Sequence, residues 1–147
     1  MKLLPVRPGS IEASLSKSKA WLVLPLVLGF ALRAFQVGEW SLWHDEALTV
    51  LLARKPLADL VQITGADVHP PLYFMIVKVF TTFGQSEFIV RLPSVLWSVT
   101  AIILLYLLGS ELFGRKTGLV CALIMALSPL QLYYAQEARM YAQLLAL

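Results

Sequence analysis

The chain has 147 residues, of which 59% are hydrophobic and only 14% are charged, whereas soluble domains average about 45–50% apolar and about 25% charged residues. This composition excludes an ordinary soluble domain. The net charge of +3 does not indicate nucleic-acid binding, because the basic residues flank apolar segments, as they do beside a lipid bilayer, and do not form one stripe.

The amino-terminal region predicts a leader followed by a membrane span. Residues 1–19 are polar, with four basic residues and two prolines, and predict a loosely ordered cytoplasmic leader. An apolar run with the single basic residue Arg33 inside it predicts a first span over residues 19–37. No cleavage site of small residues follows, so this span is typical of an uncleaved signal anchor.

Residues 38–87 predict an outer loop with two juxtamembrane helices. The loop carries six acidic and three basic residues, which places it outside when the leader is inside. Residues 45–60 predict a helix in the membrane interface. Residues 70–84 predict a helix of about 22 Å, too short to cross. Crossing stays an alternative, but it would put the later polar motif opposite the first one.

The second half predicts further spans over residues 89–110 and 117–134, separated by the basic pair Arg115 and Lys116. A further helix is expected over residues 139–147 and stops without a cap. We therefore predict an all-α polytopic membrane protein with three or four transmembrane helices and extracytoplasmic juxtamembrane helices. Residues 20–147 are interpreted as the start of a longer transmembrane domain that is inactive alone.

The first motif that could carry chemistry follows the first span. His44, Asp45 and Glu46 come directly after two tryptophans, Trp40 and Trp43. A carboxylate in such a water-poor place can act as a general base, because partial desolvation raises its affinity for protons. The alternative is an interfacial aromatic belt with acidic residues at a helix start.

Two shorter motifs add polar groups. His69 and Tyr73 flank the first turn of the short helix, stiffened by Pro70 and Pro71; the alternative is a plain loop-to-helix junction. Arg91 opens the next span, where it would bind a phosphate or, more commonly, reach towards lipid headgroups.

The last motif covers residues 128–141. On helical spacing Tyr134, Glu137 and Tyr141 share one face, and Glu137 and Arg139 add charges near the membrane boundary. Ionisable residues at that depth are costly and indicate function by default. The alternative is an ion pair of Glu137 with Arg91 or Arg139 that only holds helices together.

The order of these motifs resembles polytopic glycosyltransferases of the GT-C fold. The nearest likeness is to bacterial members related to dolichyl-phosphate-mannose–protein mannosyltransferases and to aminoarabinose transferases acting on lipid A. The resemblance implies a catalytic Asp45 with Glu46 beside it, and a polyprenyl-phosphate-linked sugar donor whose phosphate lies among Arg91 and Arg139. Further substrate contacts would come from the remaining motif residues, His44, His69, Tyr73, Tyr134, Glu137 and Tyr141.

The resemblance also bears on location and cofactors. It implies the bacterial inner membrane, with the active site on the extracytoplasmic side. The sequence has no P-loop and no Cys/His ligand set, so no cofactor or metal is firmly implied, although a divalent ion held by Asp45 and Glu137 is compatible with the family. The predicted function is sugar transfer to a lipid, glycan or protein acceptor. The alternatives are a membrane transporter, which would carry charges near midspan, and a non-catalytic assembly protein.

Overall fold

The computed structural model describes residues 10–67 and 69–147, and within these ranges the chain forms eight helices and no strand. This confirms the predicted all-α class. The helices are α1 (Ser10–Ala34), α2 (His44–Arg54), α3 (Leu57–Gly65), α4 (Pro71–Thr81), α5 (Glu87–Phe113), α6 (Arg115–Leu127), α7 (Pro129–Ala135) and α8 (Tyr141–Ala146).

The amino-terminal helix is longer than expected. Residues 10–19 belong to α1, so the prediction of a loosely ordered leader is wrong for this stretch, where no Gly or Pro interrupts the helix and Ala, Leu, Glu and Lys favour it. The first part of the predicted leader, residues 1–9, lies outside the described residues.

Helices α5 and α6 form a tight antiparallel hairpin. The chain reverses at Gly114, whose φ of +89° is a backbone conformation that favours glycine. Gly109 and Gly118 let the two backbones approach, because a Cβ atom added at Gly118 would lie 2.7 Å from the backbone oxygen of Tyr106. Such close contact through small residues is typical of helices that pack in membranes.

Helix α1 packs against this hairpin, and a buried arginine joins the three helices. Arg33 is fully buried. Its Nε donates to Ser98 Oγ in α5 at 2.7 Å, and its terminal nitrogens donate to the carbonyls of Met125 and Ala126 at 3.0 Å. These carbonyls belong to the last turn of α6, where no intrahelical donors remain.

The chain bends where Arg33 caps α6. Helices α6 and α7 meet at an angle of 59°, because the residue before Pro129 is disfavoured in the helical region. The predicted continuous span over residues 117–134 is therefore a broken one.

One helix of the described part, Glu87–Phe113, is long and apolar enough to cross a membrane, or two if the bent pair of α6 and α7 counts as one span. It covers the predicted span over residues 89–110. The apolar helices Trp21–Ala34 and Pro71–Thr81 are shorter than a span. The prediction of three or four spans is therefore not confirmed.

The loop over residues 38–87 contains three short helices. Pro56 separates α2 from α3, so the prediction of a single helix over residues 45–60 is wrong. The helix expected over residues 70–84 is α4, whose 11 residues cover only about 16 Å. Lys78 in α4 donates to the carbonyls of Ala53 and Lys55 at the end of α2. Helices α2 and α4 therefore lie side by side.

The last motif is not one helix. Residues 136–140 form a turn between α7 and α8, and the helix expected over residues 139–147 begins only at Tyr141. The prediction that Tyr134, Glu137 and Tyr141 share one helical face is therefore wrong, because they lie in α7, in the turn and in α8 respectively.

Candidate active site

The polar motifs meet at one end of the bundle. This end holds the loop after α1, the first turns of α2, α4 and α5, and the turn after α7. Asp45 and Arg139, which are 94 positions apart in the sequence, come within 3.6 Å of each other. The site therefore draws on almost the full length of the described chain.

A buried ion pair between Glu46 and Arg91 forms the base of this region. Nε of Arg91 donates to Oε1 of Glu46 at 2.8 Å and Nη2 donates to Oε2 at 2.6 Å. The remaining N–H groups of Arg91 donate to the carbonyls of Val37, Trp40 and Ser41 at 2.7, 2.8 and 3.3 Å. A guanidinium has five N–H donors, and here each one has an acceptor.

These contacts bear on the catalytic role predicted for Glu46 and on the phosphate-binding role predicted for Arg91. Glu46 is fully buried, and besides Arg91 it accepts from the backbone N–H of Ala138 at 2.7 Å and of Trp43 at 3.3 Å. Arg91 has no N–H left for a phosphate unless one of these bonds breaks. The pair joins the loop after α1 to α2, α5 and the turn of residues 136–140.

A second group, here called the Asp45 cluster, consists of Asp45, His69 and Arg139. The side chain of Asp45 is 36% exposed, and its Oδ2 faces Nη2 of Arg139. The same Nη2 lies 3.1 Å from Nε2 of His69, while Nδ1 of His69 lies 2.9 Å from Oδ2 of Asp67. Because arginine only donates, Nε2 of His69 accepts and its proton lies on Nδ1, towards Asp67.

Arg139 differs from Arg91 in having donor capacity to spare. Its side chain is almost fully buried, yet among the described residues its Nε has no hydrogen-bond partner. The guanidinium also lies 5.9 Å from the ring centre of Tyr141, within the range of a cation–π contact. The guanidinium of Arg139 therefore supplies a fixed positive charge, with an Nε–H group that is buried and has no partner among the described residues.

Two buried hydroxyls hold the backbone at Arg139 in place. Ser94 Oγ donates to the carbonyl of Arg139 at 3.2 Å, and the Tyr73 hydroxyl lies 2.7 Å from Ser94 Oγ. Since the proton of Ser94 is used, the Tyr73 hydroxyl is the donor of the second bond. Burial raises the pKa of Tyr73 well above its ordinary value, so this hydroxyl stays protonated. Tyr73 is fully buried and acts on the site through its hydrogen bond to Ser94.

The other predicted site residues lie around these groups. His44 is exposed at the first position of α2. The rings of Tyr134 and Tyr141 pack with centres 4.9 Å apart. Glu137 is almost fully buried beside a cavity that Glu46 also lines, and it interacts with Tyr133.

The ligand set for a metal ion is sparse. Within the described ranges, no group of three or more His, Cys, Asp or Glu side chains lies close enough to hold one. Asp45 also faces the Arg139 guanidinium, whose positive charge competes with a cation. A divalent ion at Asp45 and Glu137 would therefore need ligands from outside the described residues.

Sequence reasoning missed several groups that shape the site. Ser94 lies in the motif that begins with Arg91, but no role was predicted for it. Asp67 was counted only as an acidic residue of the loop, although an aspartate two residues before a histidine could have suggested the pairing. The capping of α6 by Arg33 had a signal in the sequence, because a charge inside an apolar run rarely lacks a buried partner.

Comparison with known proteins identifies the family. A family model described as dolichyl-phosphate-mannose-protein mannosyltransferase matches residues 68–146, which is more than half of the chain. The chain belongs to the dolichyl-phosphate-mannose-protein mannosyltransferase family. Members of this family are integral membrane proteins, and membership indicates a membrane glycosyltransferase of the mannosyltransferase type.

Family membership also implies a polyprenyl-phosphate sugar donor and an acceptor in general terms. The segment matched to these mannosyltransferases contains His69, Arg91 and Arg139, whereas Asp45 and Glu46 precede it. No curated protein and no solved structure matches the chain.

Proposed function

We propose that the protein transfers a sugar from a polyprenyl-phosphate-linked donor to a hydroxyl group of a lipid, glycan or protein acceptor, with inversion at the anomeric carbon. Family membership supports the reaction class. The observation that carries the proposal is the pairing of a partly exposed carboxylate, Asp45, with a buried arginine, Arg139, that keeps an unshared N–H.

In the proposed reaction Asp45 removes the proton of the acceptor hydroxyl as its oxygen attacks the anomeric carbon. The bond between that carbon and the phosphate oxygen breaks, and its electron pair leaves with the phosphate. Negative charge on the phosphate therefore grows in the transition state. Arg139 stabilises this charge from a fixed position, which costs no reorganisation during the reaction.

We assign the phosphate contact to Arg139 and not to Arg91. All five donors of Arg91 are already used, whereas Nε of Arg139 has no partner among the described residues. His69 accepts a hydrogen bond from Arg139 and would fix the direction of its guanidinium. Glu46 and Arg91 are then positioning residues that hold the first turn of α2 and hence the Asp45 carboxylate.

The proposed membrane arrangement has α1, α5 and the bent pair of α6 and α7 as crossing segments. Arg91 at the start of α5 contacts Val37 beyond the end of α1, and Arg33 near the end of α1 contacts the end of α6. Neighbouring helices therefore run in alternating directions. With the basic Arg115 and Lys116 inside, the Asp45 cluster faces the extracytoplasmic side of a bacterial inner membrane.

The proposed acceptor classes include the lipid A type of acceptor, on the likeness to aminoarabinose transferases.

Two substitutions test the assignment of roles. Asp45→Asn keeps the size of the side chain but removes the proton acceptor, so single-turnover transfer in native membranes should fall by at least about 10²-fold while donor binding changes little. Arg139→Gln should weaken binding of a polyprenyl-phosphate sugar, because a charge-assisted hydrogen bond contributes about 1.5–3 kcal/mol.

Matched controls come from exposed residues of the same loop. Asp59→Asn in α3 and Arg54→Gln at the end of α2 remove the same charges away from the cluster, and both variants should behave as wild type. Transfer at the wild-type rate by Asp45→Asn, or loss of donor binding in that variant, would exclude Asp45 as the base.

A further inference from the structure

The cavity lined by Glu46 and Glu137 lies beside the Asp45 cluster but does not include its residues. We call it the tryptophan cavity. Its volume of about 290 Å³ is near the lower end for small-molecule sites, which are about 300–1,000 Å³. The residues of the Asp45 cluster do not line it, and the lining includes Trp40, Trp43, Glu46, Arg91, Tyr133 and Glu137.

The charge of this cavity disfavours a phosphate. Among the described lining residues Arg91 is the one cation, and its N–H groups are all donated to protein acceptors. The carboxylates of Glu46 and Glu137 outnumber it, so the formal charge of the lining is 1 − 2 = −1. An anionic ligand would meet a net negative charge, and the one cation of the lining has no free N–H group to offer it.

Two side chains of the walls, those of Glu137 and Gln136, offer hydrogen-bond acceptors to a ligand. The carboxylate of Glu137 only accepts. Gln136 uses its amide nitrogen to donate to the carbonyl of Phe35 at 3.0 Å, so the amide oxygen is the group it can offer to a ligand. Such walls suit a ligand that brings O–H donors.

The tryptophans add flat apolar surface. Trp40 and Trp43 are 74% and 46% exposed. The face of an indole ring is electron-rich and attracts the slightly positive C–H groups on one face of a pyranose ring. Exposed indoles next to carboxylate and amide oxygens match a sugar, which has C–H faces and O–H edges.

We propose that the tryptophan cavity is a carbohydrate subsite that holds an uncharged sugar ring of the acceptor. This inference rests on the proposed function. The donor sugar is bonded to a phosphate that belongs at Arg139, whereas the cavity disfavours phosphate, so the ring that it holds belongs to the acceptor. The acceptor class is thereby narrowed to molecules that already carry a sugar.

The test measures binding of methyl α-mannopyranoside, a neutral pyranoside, by saturation-transfer NMR to the purified protein in lipid nanodiscs. We expect saturation transfer to the ring C–H protons, and no displacement by an equal concentration of inorganic phosphate. Trp43→Leu and the nearly isosteric Glu137→Gln should each weaken binding about tenfold. Trp21→Leu, which removes an exposed indole from α1, should leave binding unchanged.

Circular dichroism and thermal unfolding show whether each variant is folded. If Trp43→Leu does not fold, Glu137→Gln alone still tests the proposal. Absence of saturation transfer in the wild type, wild-type binding by Glu137→Gln, or displacement by phosphate would overturn the inference. In transfer assays Glu137→Gln should raise KM for a glycan acceptor but not for the donor, and a raised donor KM would overturn the assignment to the acceptor.

The two proposals fail separately. Asp45→Asn should bind methyl α-mannopyranoside as the wild type does, although it no longer transfers sugar. Loss of transfer in Asp45→Asn without any pyranoside binding in the wild type would contradict the subsite alone. Normal transfer by Asp45→Asn would contradict the proposed function alone.

Discussion

Replacing Arg91 with Met distinguishes a structural arginine from one that binds substrate. The substitution leaves the carboxylate of Glu46, which is fully buried, without its counter-ion. Removing one partner of a buried ion pair costs about 3–5 kcal/mol. The carbonyls of Val37, Trp40 and Ser41 also lose their donors, but water in the adjacent cavity can replace these, so we expect a total near the ion-pair value.

The assay is thermal unfolding of the purified protein in detergent, read by circular dichroism. For a chain of about this size each kcal/mol lowers Tm by about 2–4 °C, so Arg91→Met should lower it by about 6–20 °C. Arg54→Met is the matched control. Arg54 is exposed and bonds only the side chain of Gln85 among the contacts described, and exposed pairs contribute about 0–1 kcal/mol.

The opposite result would refute this reasoning. If Arg91 served mainly as a phosphate ligand, Arg91→Met would unfold at the wild-type temperature and bind the donor more weakly. Arg91→Lys gives a second check, because a lysine keeps the charge but cannot form the two parallel bonds to Glu46. We expect its Tm to lie between those of wild type and Arg91→Met.

Two further outcomes are expected. Gly118→Ala should destabilise the α5–α6 hairpin by about 1–3 kcal/mol, since its Cβ would lie 2.7 Å from a backbone oxygen, whereas Gly65→Ala meets nothing within 4 Å and should unfold at or slightly above the wild-type temperature; equal Tm values for both would argue against the close packing. In a cysteine-free background, Asp59→Cys should react with an impermeant thiol reagent in intact cells and Lys116→Cys should not, and labelling at both positions would contradict the proposed topology.

The sequence predicted the helical class and the approach of Asp45 and Arg139. This followed from the direction of the chain: if a helix too short to cross is followed by two helices that run in opposite directions, Asp45 and Arg139 lie at the same end of the bundle. That argument needed only helix length and the position of basic residues. It did not require knowledge of any side-chain contact.

The turn at residues 136–140 could not be predicted in the same way. These residues include good helix formers, and no Gly or Pro marks a break. Their backbone groups are taken by distant side chains instead: Ala138 donates to Glu46, and Arg139 accepts from Ser94. Local propensity was overridden by partners about 45 and 92 positions away in the sequence.

Contacts between residues far apart in the sequence also give the two arginines of the site different roles. Both Arg91 and Arg139 were expected to contact phosphate, because sequence reports only that a guanidinium lies near the membrane boundary. Which of the two arginines has all its N–H groups bonded to the protein depends on how the loop after α1 folds over the start of α5. That fold is a tertiary property, and no local pattern indicates it.

The buried Arg33 has a consequence for biogenesis. Its partners Ser98 and Ala126 follow it by 65 and 93 positions. Chains grow at about 5–20 residues per second, so in the proposed arrangement α1 enters the bilayer roughly 5–20 s before the end of α6 is synthesised. During that interval the guanidinium has to reach the headgroup region along its flexible stem. In the proposed arrangement, release of α1 into the bilayer would then depend on the synthesis of α6, and the buried arginine would indicate that α1, α5 and α6 have assembled.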